Sequence, residues 1–189
     1  MRMSAEDRVR WDDIYRKRLN EPYPPPNPLL FEYTPPVSNN EVKRALDVAA
    51  GFGQNGLWLA SQGYHTDIID ISRVALERAR VEMAVRNLRN INLLQMDLDH
   101  PKFEASYYDV ICVFRFLNRE LLPRLQDATV AGGRIIYETF NRRALKQRPD
   151  MNPAYLLDIG ELKSYFEHWK ILYYSEDDHI TQLVALKPF

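Results

Sequence analysis

The 189-residue chain reads as a doubly wound α/β fold built on a mostly parallel sheet. Three observations predict it. The stretch ALDVAAGFGQNG at 45–56 passes from an apolar strand through a glycine turn into a helix, and the next strand stops at Asp70. Residues 108–114 form a continuous apolar run, as expected of a strand covered on both faces. The final strands, 169–174 and 179–187, follow one another without a helix, so they close the sheet as an antiparallel hairpin.

The elements follow in order. Residues 4–19 make a charged amphipathic helix with Val9, Trp11, Ile14, Tyr15 and Leu19 as its apolar members. Trp11 and Tyr15 are four apart and share a face, either as a surface anchor or as an aromatic lid over a pocket. Seven of the twelve prolines fall between residues 22 and 36, a stiff connector that leaves room for one helical turn at 29–33. The expected organisation is a helix and proline-rich connector or lid over 1–40, then a single domain over 41–189. Residues 45–50 form the first strand, 54–62 a helix ended by Gly63, and 65–69 the second strand. Ser72 is placed to cap a helix at 74–87 with Leu76, Ala79, Met83 and Val85 inward. Residues 91–95 are the third strand, 108–114 the fourth, 121–128 a helix and 134–140 the fifth strand, entered through Ala131, Gly132 and Gly133. A basic, polar loop at 141–157 and a short helix at 161–168 precede the closing hairpin.

Bulk properties narrow the function. Apolar residues make up 46% of the chain, enough for a real core. A net charge of −1 and a pI near 6.4 exclude a global attraction to nucleic acid or anionic membrane. The single Cys112 sits in an apolar run and reads as a buried thiol, which fits a reducing, cytoplasmic setting. The N-terminus lacks the apolar centre of a signal peptide, and no run approaches membrane-span length. One Cys and four scattered His lack zinc-site spacing, so no metal is expected.

Two cofactors fit a glycine turn of this kind. Gly51, Gly53 and Gly56 satisfy G-x-G-x-x-G, and Asp70 stands where a ribose-binding acid belongs, which taken alone indicates a dinucleotide. Asp47, just ahead of the turn, opposes that reading because its carboxylate would repel a pyrophosphate. S-adenosyl-L-methionine brings an ammonium and a sulfonium instead, which an acid attracts. The bland alternative has Asp47 capping the turn and Asp70 the following helix. Asp97 repeats the placement of Asp70 after a strand end, as an acceptor for an adenine amino group or as a turn residue.

The whole pattern resembles the class I S-adenosylmethionine-dependent methyltransferases. The residues that carry it are 46–55, Ile69 to Ser72, Met96 and Asp97, 108–111, and Ala131 to Gly133. More narrowly it is similar to the small bacterial methyltransferases near the tellurite-resistance group, through Trp11, Asp12, Asp13, Ile14, Tyr15 and residues 56–60. The resemblance implies seven strands in the order 3-2-1-4-5-7-6, the last antiparallel. It implies that the main chain around Ala49, Gly51 and Gly53 meets the methionine part, with Asp47, Asn55 and Leu98 as further cofactor-binding candidates. Asp70 would hold the ribose, Ile71 pack on the adenine, Asp97 bind its amino group, and the Phe114 carbonyl lie by the ammonium. Ala50 stands where relatives often carry Cys or Gly.

Methyl transfer from a sulfonium works mainly by positioning and desolvation, so no general base is compelled and no catalytic residue is assigned. Glu138 and Tyr137, closing the fifth strand, are the candidates if one acts. Trp11, Tyr15, Arg115, Arg119, Glu138 and Arg148 are the expected substrate contacts, with Arg142 and Arg143 adding positive charge suited to a carboxylate or oxyanion. A small-molecule acceptor is expected, the product being S-adenosyl-L-homocysteine; a nucleic-acid or protein acceptor stays open, as does oligomeric state. Two other readings compete: a methyltransferase-like subunit that binds a partner without catalysis, and an NAD(P)-binding reductase.

Overall fold

A computed structural model describes residues 5–38 and 40–189; residue 4, where the first helix was expected to begin, lies outside the described residues, as does the rest of 1–4. The seven strands form one sheet in the order β3-β2-β1-β4-β5-β7-β6, the order expected. The chain divides into two compact units, one ending at Lys102 and the other spanning Phe103–Phe189.

The first unit begins with α1 (Ala5–Lys17) and α2 (Pro28–Tyr33). Pro28 begins α2 because its missing N–H is needed by no partner there, and the Asn27 side chain caps the turn by accepting from the Leu29 N–H. Then come β1 (Arg44–Val48), α3 (Gln54–Ser61), β2 (His65–Asp70), α4 (Arg73–Val85) and β3 (Ile91–Gln95). β1 pairs with β2 and β2 with β3, all parallel. Ala50, Leu57, Ile68 and Leu76 form a buried cluster, with Tyr23 and Met83 packed against it. Ser72 caps α4 as expected, its Oγ accepting from the Ala75 N–H. Val85 was expected inward and is instead 76% exposed. Nine residues beyond Leu76, at about 100° per residue, it points from the opposite side of α4. The proline-rich connector is tied down at three points: Tyr23 donates to the Phe52 carbonyl, the Asn27 N–H to Asn55 Oδ1 at 2.8 Å, and Tyr64 to the Pro35 carbonyl at 2.7 Å.

The second unit holds β4 (Tyr108–Phe114), α5 (Leu121–Ala128), β5 (Thr129–Phe140), α6 (Glu161–Tyr165), β6 (Lys170–Ser175) and β7 (Ile180–Leu186). β5 pairs parallel to β4 and antiparallel to β7, and β6 pairs antiparallel to β7, which is the expected hairpin. β5 starts five residues before the expected 134. Thr129 faces Tyr108 and the register then slips so that Arg134 faces Val110, the extra residues being absorbed around Gly132 in a left-handed conformation. The expected loop at 141–157 carries two 3-10 turns, Arg142–Lys146 and Pro153–Tyr155, capped by Asn141 and Asn152. The helix expected over 161–168 ends at Tyr165. Among the described residues no helix is long and apolar enough to cross a membrane.

Candidate cofactor site

The glycine turn leaves β1 through backbone that side chains resist. Ala49, Gly51 and Gly53 all have positive φ, and at the non-glycine Ala49 that conformation carries strain of order 1 kcal/mol. At Gly51 space is limiting as well, since a Cβ would lie 2.7 Å from the Tyr15 hydroxyl. At Gly56 a Cβ would stand 2.5 Å from Ile68 Cγ1, so the third glycine lets α3 pack closely on β2.

Two buried carboxylates hold this turn. Asp47 is 1% exposed, and its Oδ2 accepts the Gly56 N–H at 2.7 Å, capping the first turn of α3 from beneath. Asp70 is 3% exposed; its Oδ2 accepts the Gly51 N–H at 2.7 Å and its Oδ1 the Ser72 N–H at 2.8 Å. Burial raises the Asp70 carboxyl to about 6, against the lowering pull of those N–H groups and with a further rise from the nearby Asp12 charge. The capping roles and the ribose role are compatible for Asp70, whose lone pairs exceed its two N–H partners. Ile71 and Leu98 are buried apolar side chains, and Gln95 donates to the Ile71 carbonyl at 2.9 Å. Asp97 Oδ1 accepts the Asp99 N–H at 2.9 Å in a local turn.

Helix α1 lies over this turn. Trp11 stacks on Tyr15 with 5.9 Å between centroids, Tyr15 meets Phe52 at 5.0 Å, and the Tyr15 hydroxyl reaches Gly51. Burial, with Asp70 adding, raises the Tyr15 phenol, so it stays a neutral hydroxyl. Two contacts unanticipated from the sequence fasten α1. Asp12 Oδ1 accepts from Ser72 Oγ at 2.6 Å and from the Val74 N–H at 3.2 Å, giving α4 a second cap from outside its own chain segment. Arg78 donates to the carbonyls of Arg18, Leu19 and Glu21 beyond the end of α1, and its guanidinium lies 4.5 Å from the Phe52 ring centroid. Neither contact has a local signal, because the partners are about sixty positions apart.

In the second unit, Arg115 directly follows Phe114 at the end of β4 and has a positive φ of its own. Its Nε lies 3.2 Å from Glu138 Oε1, and Gln182 Nε2 donates to Glu138 Oε2 at 2.6 Å. Arg119 grips Glu161 with Nε and Nη2 and donates to the carbonyls of Ala154 and Leu156, pinning residues 153–161. That partnership raises the Arg119 guanidinium; Glu161 is lowered, its burial outweighed by the Arg119 and backbone hydrogen bonds. Arg142 pairs with Asp158 and Arg143 donates to the Glu176 carbonyl, while Arg148 is exposed. The Tyr137 hydroxyl donates to the Phe116 carbonyl at 2.8 Å and burial raises it, so it holds its proton at neutral pH. Among the described residues no group of three or more His, Cys, Asp or Glu is arranged to hold a metal ion, and Cys112 is buried and in no disulfide.

The donor set fits a ligand that brings hydroxyls and positive charge. The Gly51 and Gly56 N–H groups, which a phosphate would need at this turn, are both taken up by carboxylates.

Comparison with known proteins agrees with this chemistry. The family described as tellurite resistance protein TehB matches residues 36–184. Over 145 residues the chain is 27% identical to a Haemophilus influenzae protein named probable S-adenosyl-L-methionine-dependent methyltransferase TehB, covering 71% of this chain and 48% of that one. It is 31% identical over 134 residues to a ubiquinone biosynthesis O-methyltransferase of Alkalilimnicola ehrlichii, covering 61% and 49%. The chain thus spans about half the length of the curated relatives it matches. The crystal structure of TehB from Haemophilus influenzae superposes with a TM-score of 0.71 at 18% identity, over 94% of this chain and 67% of that one, a likeness of fold. The chain belongs to the tellurite resistance protein TehB family, with the sheet of the class I S-adenosylmethionine-dependent methyltransferases.

Proposed function

We propose that this chain is an S-adenosyl-L-methionine-dependent methyltransferase acting on a small-molecule acceptor. The observation that carries the reading is the pair of buried carboxylates occupying the Gly51 and Gly56 N–H groups. That arrangement disfavours a pyrophosphate and suits an adenosine that carries a cationic amino acid chain. Family membership and the names of the curated relatives support the same reading.

The cofactor supplies a sulfonium-activated methyl group, whose transfer to an acceptor lone pair breaks the carbon–sulfur bond and leaves a neutral thioether. The chain's own residues do the rest. Asp70 would accept the ribose hydroxyls, Ile71 and Leu98 offer apolar surface to the adenine, and Asp97 keeps Oδ2 for its amino group. The main chain at Ala49, Gly51 and Gly53, with Asn55, would receive the methionine part. Asp47 acts from beneath by fixing the start of α3. Trp11 and Tyr15 on α1 would exclude water from the turn, which strengthens every charge interaction there. Tyr137 keeps its proton, which argues against it as a base, and positioning carries the rate.

The test is calorimetry with S-adenosylmethionine, S-adenosylhomocysteine and NADH. Micromolar binding of the first two alone is expected. Binding of NADH instead would restore the reductase reading, and binding of none would leave a partner-binding subunit. Asp70→Ala should weaken donor binding roughly ten- to hundredfold, the loss of hydrogen bonds to a charged group. An unchanged dissociation constant in a folded variant would sink the ribose assignment.

A further inference from the structure

The end of β4 carries an arginine in an uncommon setting. Among the described residues Arg115 is one of five non-glycine residues with positive φ, at +59°, and it stands immediately after the strand. Strain at a strand's carboxyl end persists only where the surroundings enforce it, and here they do. The Arg115 N–H donates to the Glu138 carbonyl at 2.8 Å, prolonging the β4–β5 ladder by one rung. The side chain is held by the same residue, Nε lying 3.2 Å from Glu138 Oε1.

Glu138 is in turn fixed from its other side. Glu138 and Gln182 are direct partners across the antiparallel β5–β7 pair, which is why Gln182 Nε2 reaches Oε2 at 2.6 Å. Phe140, two residues along β5, shares the face of Glu138, and its ring centroid lies 4.6 Å from the Arg115 guanidinium carbon. The His179 ring stacks on Phe140 as well, at 6.0 Å and 18°. The guanidinium is therefore tethered through Nε and laid on an aromatic ring, while its two terminal nitrogens have no partner among the described residues. The Glu138 side chain is 6% exposed and that of Arg115 48%.

This separates Arg115 from its neighbours. Arg119 is filled by Glu161 and two carbonyls, Arg142 by Asp158, and Arg143 donates to a carbonyl. Arg148 is exposed. Arg115 alone of these five combines a fixed orientation with an unengaged fork.

We propose that the Arg115 fork is the acceptor-recognition element, taking a planar organic carboxylate of the methyl acceptor in two parallel N–H···O bonds, with Phe140 as the flat surface beside it. Glu138 and Gln182 are positioning residues that orient the fork. The acceptor role rests on the methyltransferase reading above; the carboxylate site itself does not. Because Glu138 neutralises much of the charge locally, selection comes from fork geometry rather than long-range attraction, and binding should depend only weakly on salt.

The test uses benzoate and benzamide, equal in shape and different in charge, titrated into the full chain and followed by the arginine side-chain N–H resonances. S-adenosylhomocysteine calorimetry is run on the same wild-type sample. Saturable benzoate binding that moves the Arg115 resonance is expected, with benzamide at least tenfold weaker. Arg115→Gln should weaken benzoate roughly ten- to hundredfold. Should that variant fail to melt cooperatively, Arg115→Lys carries the comparison: it keeps the charge, loses the fork, and should lose about tenfold. No saturable benzoate binding, equal binding of the two probes, or equal benzoate affinity in a folded variant would each overturn the proposal. Failure of S-adenosylhomocysteine to bind, with the benzoate response intact, would remove the methyltransferase reading and leave the carboxylate site standing.

Discussion

Acidification should weaken donor binding through one group, Asp70. Its carboxyl is raised to about 6 by burial, and only the ionised form offers ribose hydroxyls a charge-assisted acceptor. If protonation abolishes those bonds, the apparent dissociation constant scales with one plus the ratio of protonated to ionised carboxyl. Between pH 7 and pH 5 that is about a tenfold loss, or about 1.4 kcal/mol. At pH 6 half of the ligand-free chains carry the proton, so binding should release about 0.5 proton per ligand. Calorimetry of S-adenosylhomocysteine across pH 5–8, in two buffers of different ionisation enthalpy, reads both quantities. Asp70→Asn, which cannot titrate, should bind weakly with a flat profile. A flat wild-type profile, or the same slope in the variant, would refute the reasoning. For stability the sign is the opposite of that for binding. A carboxyl whose folded value lies above its ordinary 3.8 favours the folded state fully below that value, and the contribution is lost as the pH rises through about 6.

Two further perturbations test the packing that holds the turn. Gly56→Ala would force a Cβ to within 2.5 Å of Ile68 Cγ1 and should destabilise the chain by about 1–3 kcal/mol in urea unfolding; combined with Ile68→Ala, the two costs should fall short of their sum. Additive costs would mean that the contact is relieved elsewhere. Asp12→Ala removes the acceptor that Ser72 and Val74 share and should cost about 1–2 kcal/mol. It also removes a like charge near Asp70, so the pH midpoint for donor binding should move down; a midpoint that stays put would exclude the electrostatic link.

The amino-acid sequence by itself determined the sheet's alternation of strands and helices, the glycine turn, the acids near the ends of β1 and β2, and the closing hairpin. Each is a local signal. Continuous apolar runs mark covered strands, Ser72 stands one residue before its helix, and Gly51 and Gly53 mark backbone that few other residues adopt. The tertiary structure alone decided how those parts are used. That Asp47 caps Gly56, and that Tyr15 covers Gly51, depends on α3 and α1 reaching the same turn from opposite directions along the chain. The five arginines look alike in sequence, yet Arg119 is bound to Glu161, 42 positions away, while Arg115 is steered by Glu138 and left with an open fork. The early start of β5 likewise follows from its register on β4, which local propensity does not encode. A side chain's partners are set by which strands and helices meet. Spacing along the chain determines only the elements from which those meetings are made.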